Sequence, residues 1–200
     1  MKLFAIEQTK TAYWADFAFY GAVIVGLAAT LMVGTPQARW SEVACFAVAG
    51  LVGWTALEYV IHRFVFHGIQ PFRRWHAEHH ARPTAFICAP TILTASLLGG
   101  LLFLPAWVVG NVWSACALTL GVLSGYVAYA ATHHAIHHWH AKSTWLRQRQ
   151  RSHFIHHQAQ QPCCFGVTSG IWDAACGSRR PQSAPAAAAD TRCKPRTRVW

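Results

Sequence analysis

The stretch Glu58-Tyr59-Val60-Ile61-His62-Arg63-Phe64-Val65-Phe66-His67 leads, after a short interval, into Arg74-Trp75-His76-Ala77-Glu78-His79-His80. It starts where the apolar run Val43–Leu57 ends, so the first histidines stand at the edge of a hydrophobic segment and the next on a polar one. The pattern returns later. The apolar run Val112–Thr132 ends in His133 and His137, and the polar segment beyond it carries His153, His156 and His157. All thirteen histidines of the 200-residue chain lie between His62 and His157. Imidazole is the commonest metal ligand, and ten of them in four clusters exceed what one ion can use. The pattern predicts a two-metal site beside apolar spans.

The composition says what surrounds that site. The chain is 54% hydrophobic and 12% charged, about half the charge of an ordinary soluble domain. Its apolar residues fall into four blocks, Phe17–Gly34, Val43–Leu57, Ala85–Val109 and Val112–Thr132. A spanning helix needs about 20 mostly apolar residues; the second block is short but extends through Glu58–Ile61. The fold class expected is an all-α polytopic membrane protein with about four transmembrane helices and a cytosolic helical cap. Its segments are a polar N-terminal stretch over 1–14, a membrane domain over 15–177 and a basic, disordered tail over 178–200.

Basic residues orient the spans. Arg63, Arg73, Arg74 and Arg82 separate spans two and three, and Lys142, Arg147, Arg149 and Arg151 follow span four, whereas the opposite turns hold only Arg39. Short loops rich in Lys and Arg face the cytoplasm, which puts every histidine cluster on the cytoplasmic face. The net charge of +10 fits this topology and anionic head groups, and gives no soluble basic face for nucleic acid. The seven cysteines form no C-x-x-C and read as reduced thiols.

The spacings suit ligation. On a helix, positions i, i+3 and i+4 share a face, so His76, His79 and His80 present three rings together, as do His153, His156 and His157. His133 and His137 do the same at i and i+4, while His134, His138 and His140 point around the helix. His62 and His67, five apart, meet only if the helix ends or bends between them. Glu58, Glu78 and Asp173 stand close enough to serve as acceptors for the outer ring nitrogens. All-imidazole sites suit Zn, Cu, Fe and Ni. Placement at the mouth of a bundle, beside acyl chains, favours two iron ions, since zinc offers only Lewis-acid or hydroxide chemistry.

These motifs resemble the fatty acid hydroxylase superfamily, which includes sterol desaturases and fatty acid 2-hydroxylases. The likeness runs through Tyr129-Ala130-Ala131-Thr132-His133, His153-Phe154-Ile155-His156-His157 and Phe165-Gly166-Val167-Thr168-Ser169-Gly170-Ile171-Trp172-Asp173. It covers roughly Glu42 to Gly177, and the last motif is like the 2-hydroxylase branch. The resemblance implies a four-helix membrane core, a diiron centre with zinc as a substitute acquired on purification, and O₂-dependent oxidation of a lipid. The family's ligands fall on His62, His67, His76, His79, His80, His133, His137, His153, His156 and His157, the ten that spacing selects. Tyr129 is the candidate catalytic residue, lining the pocket, with an interfacial aromatic anchor as the alternative; Ala130 stands where the 2-hydroxylase branch commonly has Asp.

The expected activity is hydroxylation of a lipid acyl chain by a non-haem diiron monooxygenase. The alternative on the same core is hydroxylation or desaturation of a sterol or carotenoid. No glycine-rich dinucleotide fingerprint appears, so electrons are expected from a separate donor of cytochrome b5, ferredoxin or reductase type. Metal transport and haem binding both fare poorly. A conduit places polar groups along the bilayer interior, and haem would take single histidines on facing spans, whereas here the imidazoles crowd the span ends.

Overall fold

The computed structural model describes residues 7–159 and 162–179, and its regular elements are all helical. The chain forms α1 (Lys10–Gly34), α2 (Trp40–Val60), α3 (Phe72–Ala81), α4 (Thr91–Leu97), α5 (Leu104–Val109), α6 (Val112–His138), α7 (Thr144–Gln158) and α8 (Ile171–Ala175). Two π-helical segments, Ile61–Phe66 and Leu98–Phe103, extend α2 and join α4 to α5. Four continuous helical units, Lys10–Gly34, Gln37–Phe66, Thr91–Val109 and Val112–His138, are long and apolar enough to cross a membrane. The third begins six residues later than the apolar run at Ala85 because Pro90, extended at φ −59° and ψ 134°, immediately precedes its first turn. The fourth outlasts its apolar run and carries His133 and His137 on its last turns.

Small residues set the central packing. A Cβ on Gly121 would lie 2.1 Å from the Ala47 carbonyl oxygen, and one on Gly50 would lie 2.3 Å from the Leu118 carbonyl oxygen. Thus α2 and α6 cross with backbone against backbone, as small residues permit between helices in lipid. Leu31, Val43, Cys116 and Ala117 form a buried core beneath the crossing. Outward-facing residues are apolar instead: Val33 is 90% exposed, Val109 89% and Leu101 74%. A surface of that kind suits hydrocarbon.

The two ends of the bundle differ. At one end, Asn111 caps α6 by accepting from Trp113 and Ser114, and its amide donates to Glu42, which Arg39 also engages. At the other, α3, α7, α8 and the loop 162–170 close over the spans. The segment before α1 joins this cap: Gln8 N–H donates to the Phe86 carbonyl, and Arg82 pairs with Glu7 at 3.0 Å. Within α1, Asp16 accepts from the Thr91 hydroxyl at 2.6 Å. Ser178 and Arg179, at the start of the expected tail, are bound to the cap through Asp173 and Gly170; positions 180–200 lie outside the described residues, as do 1–6.

Candidate metal centre

His62 and His67 are five residues apart, and the helix between them neither stops nor breaks. It widens into a π-helical turn over Ile61–Phe66, in which backbone bonds run from i to i+5. That turn carries the two rings to one side, with centroids 5.4 Å apart. The α3 face adds His76, His79 and His80; the end of α6 adds His133 and His137; α7 adds His153, His156 and His157. Four elements meet around one cavity.

The nitrogens within it form two groups. His62, His67, His76, His80 and His156 make one, and His79, His133, His137 and His153 the other; within each, the candidate ligand nitrogens all lie within 4.8 Å of one another. His157 links them, with its Nε2 3.0 Å from that of His153 and its ring stacked 4.1 Å from that of His80. His133 Nε2 meets the Nε2 atoms of His79, His137 and His153 at 3.1, 3.2 and 3.2 Å. A single Nε2 carries one hydrogen or one lone pair, so hydrogen bonding satisfies at most one of these three approaches. Convergence on a cation satisfies them all. Nitrogens held ~2.1 Å from one ion at a right angle sit ~3.0 Å apart, close to the spacings observed. The donor set therefore fits two metal ions.

The outer nitrogens of two rings are held by carbonyls. His62 Nδ1 lies 2.5 Å from the Phe165 carbonyl oxygen, and His156 Nδ1 lies 2.7 Å from that of Cys163. A carbonyl only accepts, so each Nδ1 carries the hydrogen and each Nε2 presents its lone pair inward. Both carbonyls belong to one loop. Asp173 accepts from the Phe165 and Gly166 amides at 2.8 Å each, and Glu58 accepts from the Val167 and Thr168 amides at 2.7 and 2.9 Å. Four consecutive N–H groups are thus taken up by two buried carboxylates.

Burial dominates the electrostatics of the cap histidines. It holds His67 down to about 4, His79 and His156 to about 3 and His157 to about 2, and neighbouring imidazoles add to the depression. His76, His80 and His153 move the same way, led by burial. The rings are consequently neutral at physiological pH, which is the ligating form.

All ten histidines selected by spacing converge. His134, in contrast, hydrogen-bonds with the Tyr13 hydroxyl and stacks on His138, while His138 and His140 are exposed. Tyr129 lies parallel to the His133 ring at 5.9 Å. Glu58 and Asp173 reach no histidine directly; they grip the loop that does. Glu78 sits at the surface, 3.7 Å from Arg82, with no hydrogen bond to an imidazole among the described residues. The carbonyls of Cys163 and Phe165 have no signature in side-chain spacing. Arg149 reads in the sequence only as one of the basic residues that orient the spans, yet its guanidinium is buried beside Gly170, and Nε and Nη1 find no hydrogen-bond partner among the described residues.

The fatty acid hydroxylase family model matches residues 47–178, the whole histidine-bearing region. A dihydroceramide fatty acyl 2-hydroxylase of Arabidopsis thaliana is 30% identical over 187 residues, covering 85% of this chain and 74% of that protein. The fatty acid 2-hydroxylase of Homo sapiens is 32% identical over 139 residues, 60% of this chain and 35% of its own. Among solved structures, the hydroxylase domain of full-length scs7p shares the fold, with a TM-score of 0.76 at 24% identity over 90% of this chain and 70% of that one. With the family match spanning every one of the ten converging histidines, this chain belongs to the fatty acid hydroxylase family.

Proposed function

We propose that this chain is a membrane-bound, O₂-dependent diiron hydroxylase of lipid acyl chains. The observation that carries the reading is the convergence of nine imidazoles on two adjacent centres, with His157 between them, at one end of a four-span bundle. The relatives named for fatty acyl and fatty acid 2-hydroxylation support an acyl substrate and oxidation at its 2-position. The basic segments around the cap support a cytoplasmic orientation. Electrons come from a separate donor of cytochrome b5, ferredoxin or reductase type.

Two bound iron ions supply reduction of O₂ with two external electrons and an oxidant able to attack an unactivated C–H bond. His62, His67, His76, His80 and His156 would hold one ion, and His79, His133, His137 and His153 the other, with His157 between them. The chain's own contribution is arrangement. Buried neutral imidazoles hold the ligand shell without protons to displace. Tyr129, parallel to His133 at 5.9 Å, steadies that ring from the span side. Arg63 is occupied by the Tyr59 hydroxyl at 2.5 Å and packs over the Phe64 and Phe165 rings. These contacts brace the cap.

The test is lipid mass spectrometry on cells expressing the chain, beside a variant carrying His79→Ala and His156→Ala. A lipid heavier by one oxygen atom, present only with the intact chain and only with O₂, is the expected result. A product lighter by two hydrogens would mean desaturation. No product, in a host shown to supply iron and reductant and to accumulate the protein, would overturn the acyl assignment.

A further inference from the structure

The two metal-binding groups differ in how their outer nitrogens are held. In the group of His62, His67, His76, His80 and His156, two rings are locked by backbone carbonyls of the 162–170 loop. In the group of His79, His133, His137 and His153, no Nδ1 has a hydrogen bond among the described residues, and His153 Nδ1 is buried without a partner. The locking loop is itself tightly determined. Cys164 sits at a φ of 58°, in the left-handed region that β-carbon-bearing residues avoid. A Cβ on Gly166 would lie 1.9 Å from the Ser169 carbonyl oxygen and 3.0 Å from Asp173 Oδ2. Asp173 holds the loop's amides at 165 and 166, and Glu58, reaching in from the end of α2, holds those at 167 and 168 together with the Thr168 hydroxyl at 2.5 Å.

We propose that Glu58 and Asp173 are positioning residues for one metal site only. Acting through the Phe165 and Cys163 carbonyls, they preorganise the five-histidine site and leave the four-histidine site without an equivalent clamp. The inference rests on the two-metal reading above. Its consequence is inequality: the sites hold metal with different affinity, and the difference is set by a loop that touches neither ion. Orienting partners of this kind typically change metal affinity about 10–100-fold.

The experiment uses the full chain in detergent, stripped of metal and titrated with Co²⁺ against a competing chelator, with bound cobalt counted by elemental analysis. Ligand variants isolate each site: replacing His79, His133 and His137 together with Ala leaves the five-histidine site, and replacing His67, His76 and His80 together with Ala leaves the four-histidine site. Adding Asp173→Asn or Glu58→Gln to the first is expected to weaken Co²⁺ binding about 10–100-fold. The same additions to the second are expected to leave its Co²⁺ binding unchanged. Helicity by circular dichroism checks that each variant folds. Should the carboxylate variants fail to fold, Thr168→Val removes only the hydroxyl bond to Glu58 and is expected to give a smaller loss at the same site. Equal weakening in both backgrounds, or none in either, overturns the proposal while two ions on the unaltered chain uphold the two-metal reading. Fewer than two ions on the unaltered chain overturns both.

Discussion

The Tyr129 hydroxyl makes no hydrogen bond among the described residues, whereas its ring lies parallel to His133 and 6.0 Å from Trp54. The structure therefore uses the ring. Tyr129→Phe is expected to leave turnover within about threefold, because general acid–base work by the hydroxyl, whose removal would cost 10²–10⁴-fold, is not called upon. Tyr129→Ala is expected to lower both turnover and metal retention by freeing His133. Steady-state rates and bound metal, measured on the same preparations, check the pair. Glu58 offers a second case. Glu58→Ala would strand two buried amides and a hydroxyl, each orphaned donor costing about 1–3 kcal/mol. A lower thermal midpoint is expected, with α6 undisturbed.

The crossing of α2 and α6 carries the frame on which both histidine-bearing span ends stand. Because a Cβ on Gly121 would meet the Ala47 carbonyl oxygen at 2.1 Å and the Leu51 nitrogen at 2.7 Å, Gly121→Ala must part the two backbones. Overpacking of this kind costs typically about 1–3 kcal/mol. Thermal unfolding in detergent should show a destabilised bundle, with metal loss following because His62 and His133 move apart. Gly53→Ala, on the partner helix α2 with open space around it, should be neutral. The π-helical turn over Ile61–Phe66 makes the complementary point. It spends one extra residue per turn to bring His67 round to His62, and such turns recur at functional sites.

For the molecule as a whole, topology and titration give two measurable outcomes. Cys176 is exposed on the cap, so a membrane-impermeant thiol reagent should label it in inside-out vesicles and not in intact cells; the reverse would place the cap outside. For the metal-free chain, burial lowers His67 to about 4 and His79 and His156 to about 3, against an ordinary value near 6.5 in the unfolded state. Between those values the unfolded chain binds more protons, so stability is full above about pH 6.5 and falls as pH drops toward 3. Thermal midpoints taken with chelator present should decline over that window, and added metal should raise them. Much of this was legible in the residues alone. Apolar blocks flanked by arginine declare spans, and helical spacing singles out His133 and His137 from their neighbours, because a membrane and a metal each impose a local, periodic demand on the chain. The joining of His62 to His67 by a π turn, the division of the imidazoles into groups of five and four, and the route from Glu58 and Asp173 through the Phe165 and Cys163 carbonyls were decided only by the tertiary structure. The π turn is a backbone choice that no side-chain spacing marks, the grouping depends on how four elements pack, and the links from Glu58 to the loop and from the loop to His62 join groups more than a hundred residues apart; backbone atoms are the same in every residue, so no pattern of side chains records where they will meet.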